Sequence, residues 1–353
     1  MSASIQMSRS LNIRAASIFM AVAGSLLIAK NAHAQETSIS GLFFGDYFAT
    51  TSHHNDQIEG SNGFRYRRLY LNINTRFNSS WDSRVRFESN SPGNFTSSAK
   101  VEPFIKDLWV RWRRGRHSII MGLSSTPTKA TLESEWGYRS LEKTPLDLYK
   151  YGSSRDLGVA FKGSFDEGRK FRYHAMVGNG SGTKGEANKG KKVAVALTLY
   201  PASNLVFEVE AEHEERPGDT DRRTLTGMAV IKGDRGKIGL MFARHFRESS
   251  GLNAGMRASY DKQDVFSAFG ILRASPKINL VARWDRLLDQ VPGGEKISYI
   301  PIAEDSKGNL ILLGIDVGLH DNIHVIPNLE VVTYDEANIK SDVFFRTTLS
   351  VTF

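Results

Sequence analysis

An all-β chain, closed into a transmembrane antiparallel barrel of sixteen strands, is the fold class this sequence predicts, on three observations. The chain ends on an alternating segment, Asp342 to Phe353. Phe353, Val351, Leu349, Thr347, Phe345 and Val343 share one face; Thr352, Ser350, Thr348, Arg346, Phe344 and Asp342 share the other. Successive strand side chains point to opposite sides, so an apolar face is backed by a mostly polar one. The N-terminus reads as an export leader. Finally, no later stretch approaches twenty uninterrupted apolar residues, while period-two segments recur along the whole chain. Lipid accepts only helices and closed sheets. A soluble sandwich shares the alternation, but one greasy face on nearly every strand favours the barrel.

The leader comes first. Arg9 and Arg14 precede an apolar run from Ala15 to Ile28, and Ala32-His33-Ala34 offers a small-x-small cleavage site. The run is too short and wrongly flanked to span a bilayer, so residues 1–34 are expected to be a cleaved signal peptide rather than an uncleaved anchor. The barrel domain is then 35–353, which is 319 residues. That allows about twenty residues per strand with its connection and little for a second domain.

Period-two segments bounded by turn residues fall at about 38–50, 63–77, 81–90, 101–113, 117–124, 157–165, 170–178, 191–200 and 205–215. They continue at 222–232, 236–246, 253–260, 264–274, 278–287, 309–318, 323–334 and 341–353. Single-chain bacterial barrels have an even number of strands, with short turns on the periplasmic side and longer loops outside. Seventeen candidates therefore contain one too many. Counting back from the C-terminus, short turns alternate with long connections only if 253–260 is not a strand. Gly251 to Asp264 is assigned to an outer loop, as an extended hairpin above the membrane. Sixteen strands enclose an aqueous lumen.

Energetics decide which face looks inward. In 81–90, Trp81, Ser83, Val85 and Phe87 alternate with Asp82, Arg84, Arg86 and Glu88. Turning the charged set to lipid would cost about 2–4 kcal/mol per arginine near the midplane, so it faces the lumen. The same reasoning places Tyr66, Arg68, Tyr70 and Arg76 inward in 63–77. Trp109, Arg111 and Arg113 follow in 101–113, and Glu208, Glu210 and Glu212 in 205–215. The expected pore-lining basic set is Arg68, Arg76, Arg84, Arg86, Arg111, Arg113, Arg172, Arg283 and Arg346. Asp82, Glu88, Glu208, Glu210 and Asp285 are available as acidic partners. Trp81, Trp112, Tyr200 and Trp284 suit interface girdles or packing between subunits.

Composition narrows the chemistry. The absence of cysteine removes disulfides, thiolate metal sites and thiol nucleophiles. Formal charge is +8, and +5 once Arg9, Arg14 and Lys30 leave with the leader. That is a bias towards anions, not a nucleic-acid footprint. Gly178 to Gly182 follows a strand but opens no helix, so it is not a nucleotide cradle. No HExxH or GxSxG occurs. His320 and His324 straddle a turn and make a poor zinc pair. His53-His54 sits in a Gly/Asn-flanked outer loop and is expected to be solvated. No catalytic residue, metal or cofactor is expected, and a barrel enzyme is the lesser reading.

Several segments together resemble the phosphate- and polyphosphate-selective porin family. They are Phe64 to Leu71, Trp81 to Glu88, Asp107 to Val110, Ile119 to Pro127, Ser154 to Val159, Val177 to Gly182 and Ala282 to Arg286, in order over most of the mature chain. The resemblance implies a sixteen-stranded trimeric porin of the bacterial outer membrane, its third loop folded into the lumen. It also implies insertion by the barrel-assembly machinery through the Phe353 strand. The counterpart of that loop is Thr126 to Ser154, carrying Lys129, Arg139, Lys143 and Lys150 as constriction candidates beside Glu133, Glu135, Glu142 and Asp147. Ser125 stands where the family motif has lysine, and no specific phosphate-binding lysine aligns. Arginine rings attract anions and suit oxyanions through their planar fork; lumen arginines also pair with acids simply to stiffen a wall. The expected function is a passive, water-filled channel for small hydrophilic solutes with anion preference. The alternatives are a general, organic-acid or sugar porin, for which Tyr66, Tyr70 and Trp109 would line a track, and a non-conducting adhesive barrel.

Overall fold

Alternation gives each strand one face for lipid and one for the interior, and hydrogen bonding in chain order closes the cylinder. The structure, a computed structural model, describes residues 36–91, 95, 100–218, 220–249, 259–304 and 306–353. The proposed leader 1–34 lies outside them, as does 251–258. The described residues form β1 (Glu36–Ser52), β2 (Asn62–Arg76), β3 (Trp81–Asn90), β4 (Pro103–Arg114), β5 (His117–Ser125), β6 (Arg155–Ser164), β7 (Phe171–Gly178) and β8 (Lys192–Leu199). The second half comprises β9 (Leu205–Glu214), β10 (Arg222–Gly233), β11 (Gly236–Ser249), β12 (Ser259–Ser275), β13 (Ile278–Leu287), β14 (Gly308–His320), β15 (Ile323–Tyr334) and β16 (Asp342–Thr352). Each pairs antiparallel with its neighbours, and β1 closes on β16 from Leu42↔Thr352 to Ser52↔Val343. Sixteen strands and the short-turn parity are as expected. So is the terminal strand, where Phe345 and Leu349 face out while Phe344 and Thr348 are buried.

Two details differ from the sequence reading. The β11–β12 ladder continues to Ser249↔Ser259, as an extended hairpin would, but with Ser259 to Asp264 in β12 itself and not in its loop. Parity counts strands but does not say how far a hairpin rises above the membrane. In β2, the register shifts between Phe44 and Gly45 of β1, so that Phe44 faces Arg68 while Gly45 faces Tyr66. Arg67 is the extra residue of a bulge, and every residue before it changes side. Tyr66 therefore stands on the outer face, its ring 5.8 Å from Phe43, and not in the lumen.

The β5–β6 connection carries two helices, α1 (Pro127–Trp136) and α2 (Pro145–Leu148). Each begins with proline at its first turn, where the missing N–H costs nothing. Gly137, in the left-handed region at φ 72°, ends α1 by donating its N–H to Glu133 O. Leu132, Trp136, Leu141, Leu146, Leu148 and Tyr149 are all at most 2% exposed. They form one cluster with Val206, Met228, Met241, Val265, Phe269, Val281, Leu312, Ile326 and Phe344, which span β9 to β16. Arg67 of β2, beyond β1 from β16, donates to Ser140 O and Leu141 O at 3.1 and 2.6 Å. Contacts with so many strands at once run through the interior. The β13–β14 connection joins the same cluster through Val291, Ile297, Ile300 and Ile302.

Candidate functional site

The interior has two unlike sides. Towards β10–β16 it is packed, a large apolar cluster enclosing paired charges such as Arg283–Asp285 and Arg346–Glu330. Towards β2–β8 it is polar and basic, and a cavity of about 860 Å³ remains between α1 and that wall. Pro127, Ala130 and Thr131 form its inner side; Arg111, Arg113, Lys162, Arg172, His174, Thr198 and Glu208 form the wall. Ser79, Ser80, Gly115 and Arg169 place its mouth at the short-turn end of the barrel.

Cross-strand register explains how the basic stripe is assembled. Asp82 faces Arg111, Arg84 faces Trp109 and Arg86 faces Asp107. Arg111 grips Asp82 at 2.9 and 2.5 Å, and Arg113 reaches the same carboxylate at 2.8 Å. Arg86 lies 3.3 Å from Asp107, donates to Asn72 at 2.5 Å and stands over the Tyr70 ring. Arg84 donates to Asn74 at 2.7 Å and covers Trp109. Arg172 donates to Arg169 O at 2.8 Å and lies 4.3 Å from the Tyr200 ring centre. Lys162 has Ser125 Oγ at 3.4 Å. Among the described residues, Arg84, Lys162 and Arg172 make no ion pair, so their charge is not cancelled locally.

The other expected arginines sit differently. Arg68 is buried against Glu88 at 3.2 Å and donates to Tyr70 Oη. Arg283 pairs with Asp285 and donates to Lys143 O, and Asp285 also receives Tyr149 Oη and Ser267 Oγ. Arg346 pairs with Glu330 at 2.6 Å and donates to Tyr299 O at 2.5 Å. Arg76 lies at the rim, 3.7 Å from Glu36, with its side chain 61% exposed. Glu208 accepts from Thr198 Oγ1, and Glu210 is buried on the same face of β9.

Among the four loop cations, Lys129 is buried and donates to Leu146 O and Gly152 O at 3.3 and 2.6 Å. Arg139 lies 3.3 Å from Glu133 and 2.9 Å from Asp147. Lys143 stands over the Tyr299 ring, and Lys150 donates to Lys296 O.

Sequence reasoning missed three kinds of residue. Arg65 and Arg67 were hidden by the bulge; Arg65 lies 3.9 Å from the Phe95 ring centre and Arg67 sits between Asp46 and Glu142. Lys162 was legible, because Val159 and Phe161 alternate with Ala160 and Lys162. His53-His54 was misread. Both rings are held by the protein and stacked 4.3 Å apart, and His53 is wholly buried. Flanking glycine and asparagine mark the turn, but not the acids from distant segments that meet it.

No family model matches the sequence, and no curated protein matches it. Solved structures do. An anion-selective porin from Comamonas acidovorans superposes with TM-score 0.69 at 12% identity, over 91% of this chain and 100% of that one. The outer membrane channel DcaP of Acinetobacter baumannii gives 0.65 at 11%, over 92% and 99%. A trimer form of OmpT, an outer membrane protein of Vibrio cholerae, gives 0.61 at 10%, over 91% and 100%. Closed sheet, strand count and near-complete mutual coverage agree: the chain has the fold of the bacterial outer-membrane porins.

Proposed function

We propose that this chain is a porin of the bacterial outer membrane, a water-filled channel through which small solutes diffuse passively, anions more readily than cations. The observation that carries the reading is the cavity beside α1, where Lys162 and Arg172 carry uncompensated charge and Glu208 is the single lining carboxylate among the described residues. In a narrow, partly dehydrated path such charges raise the local concentration of anions and replace part of their hydration. The infolded 126–154 segment acts as the constriction, since it fills the apolar side and leaves the basic side open. The anion selectivity attributed to the Comamonas porin is in keeping with this.

Export by a cleaved leader at residues 1–34, a lipid-facing belt, a homotrimer and insertion through the Phe353 strand complete the proposal. Phosphate specificity receives less support, because Lys129 and Arg139 are already engaged within the constriction segment. A path for organic acids or sugars is the second reading, favoured by Trp109 and Tyr70 beneath Arg84, Arg111 and Arg86.

Reversal potentials of single channels in a KCl gradient test the leading reading. The wild type should favour chloride, and Lys162→Glu with Arg172→Glu should shift the potential towards the cation side. A cation-selective wild type, or bilayers that never conduct, would overturn it. Block by micromolar phosphate would restore a dedicated phosphate site; block by dicarboxylates or sugars alone would favour the second reading.

A further inference from the structure

At the long-loop end, a cluster outside the basic stripe ties three connections together. His54 Nδ1 lies 2.9 Å from both oxygens of Asp342, at the start of β16. Its Nε2 lies 2.6 Å from Glu295 Oε1, in the β13–β14 connection. The His54 backbone N–H also donates to Asp342 Oδ1 at 2.7 Å. Tyr334 Oη donates to Asp342 and accepts the N–H of Ala303, again from that connection.

A neutral imidazole has one N–H and one lone pair. Tyr334 Oη also lies 3.1 Å from Nδ1, but its one proton goes to Asp342, so the oxygens facing both ring nitrogens are acceptors and the arrangement is satisfied when both nitrogens carry protons. We propose that His54 is a proton-operated latch: doubly protonated, it holds Glu295 and keeps the β13–β14 connection packed in the barrel mouth, and on losing a proton it lets Glu295 go. Glu295 is the partner that releases because its side chain is 35% exposed, whereas Asp342 is fully buried and keeps the backbone N–H.

The surroundings agree with the sign. Burial alone would pull the His54 pKa down, but the hydrogen bonds and charges of Asp342 and Glu295 outweigh it and leave it raised above 6.5. The His53 pKa shifts the other way, lowered chiefly by burial. The remaining charged groups there, Glu59 and Lys340, pair with each other, and Tyr334 donates to Asp342. A group with a raised folded-state pKa holds its contact below its ordinary pKa and loses it as pH rises through the raised value. The latch is therefore shut in mild acid and opens on the alkaline side.

A metal ion is the obvious competitor, since donor atoms of His53, His54 and Asp342 lie within 4.8 Å of one another. The donors are not free for it. Asn55 N–H donates to His53 Nδ1 at 2.9 Å, which leaves that ring's proton on Nε2, and both His54 nitrogens already face carboxylates.

The effect on permeation rests on the channel reading, so the test uses two readouts on the mature full-length protein. Spin labels at Lys296→Cys and Lys189→Cys, in a chain with no native cysteine, report loop position in detergent whether or not the barrel conducts. The distance should change with a midpoint above 6.5, the open-to-shut ratio shifting at most about tenfold per pH unit for one proton. Single-channel conductance should rise over the same range. Glu295→Ala should give the open distance at every pH. Glu295→Gln, whose amide can both donate and accept, should hold the loop shut throughout. A distance that does not change with pH, or one that changes only when a chelator is added, would overturn the latch. A distance change without any conductance would leave the latch standing and count against the channel.

Discussion

Arg67 shows how a single residue can reverse the meaning of a strand. Arg65, Arg67 and Arg68 lie within four positions, and strict alternation can turn only one parity inward. The bulge resolves the conflict by bringing all three inside, at the expense of sending Tyr66 out. The clue was in the sequence: two adjacent arginines in a membrane strand cannot both be accommodated without a break in phase. What was not legible is the use made of it. Arg67 is 1% exposed, between Asp46 at 3.4 Å and Glu142 at 3.3 Å, and it holds the tip of the infolded segment by two carbonyls. Arg67→Met should destabilise the barrel by about 3–5 kcal/mol, because it leaves buried carboxylates without their cation. Glu142→Gln added to it should recover part of the loss, since the two positions share one network. Urea unfolding of the refolded protein measures both; an additive double variant would show that Arg67 does not act through Glu142.

At the level of elements, the β strands were legible and the helices were not. Sixteen period-two segments were found within a few residues of their ends, because a lipid face and an interior face leave the same mark on every strand. The 126–154 segment was identified only as long and irregular. Its signals were present: Thr126-Pro127 and Thr144-Pro145 open the helices and Gly137 closes the first. The helices lacked the usual amphipathic stripe because α1 is enclosed on several sides, with Lys129 and Glu135 buried beside Leu132 and Trp136. Trp136 is its anchor. The ring meets Phe269 edge-on at 5.5 Å, lies under Arg283, and donates its N–H to Glu142 O at 2.8 Å. Trp136→Ala should cost about 3–5 kcal/mol, as other large-to-small core changes do. If the 126–154 segment narrows the channel as proposed, the variant should also show noisier single-channel currents with the mean selectivity preserved. Quiet currents at wild-type level would mean that α1 is held by its other contacts.

For the whole molecule, the sequence supplied the outside of the cylinder far better than the inside. Reading charged faces as inward is sound for β3 and β4, where arginines alternate with apolar residues. It holds for β9, whose glutamates are buried, and is incomplete for β10 to β16, where apolar inward residues are interspersed with buried polar and paired charged ones. Leu310 and Leu312 point in, while Ile311 and Leu313 point out. The continuous run from Leu310 to Leu313 was the available sign, since a strand buried on both faces loses its alternation. The partner of that inner face lies outside the strands, in the distant 126–154 connection and the adjoining 288–307 connection, and alternation within a strand carries no record of it. The same division separates the determinants of bore from those of charge. The β13–β14 connection packs on the apolar side of the mouth, whereas Arg84, Lys162 and Arg172 stand on the opposite wall. Replacing Pro292 to Ser306 by a short Gly-Ser linker should therefore raise conductance while leaving the reversal potential in a KCl gradient close to that of the wild type. The same excision removes Glu295, so any pH step in conductance should vanish with it. Loss of anion preference in that variant would mean that the connection itself supplies the selecting field, and the assignment of selectivity to the β2–β8 wall would fall.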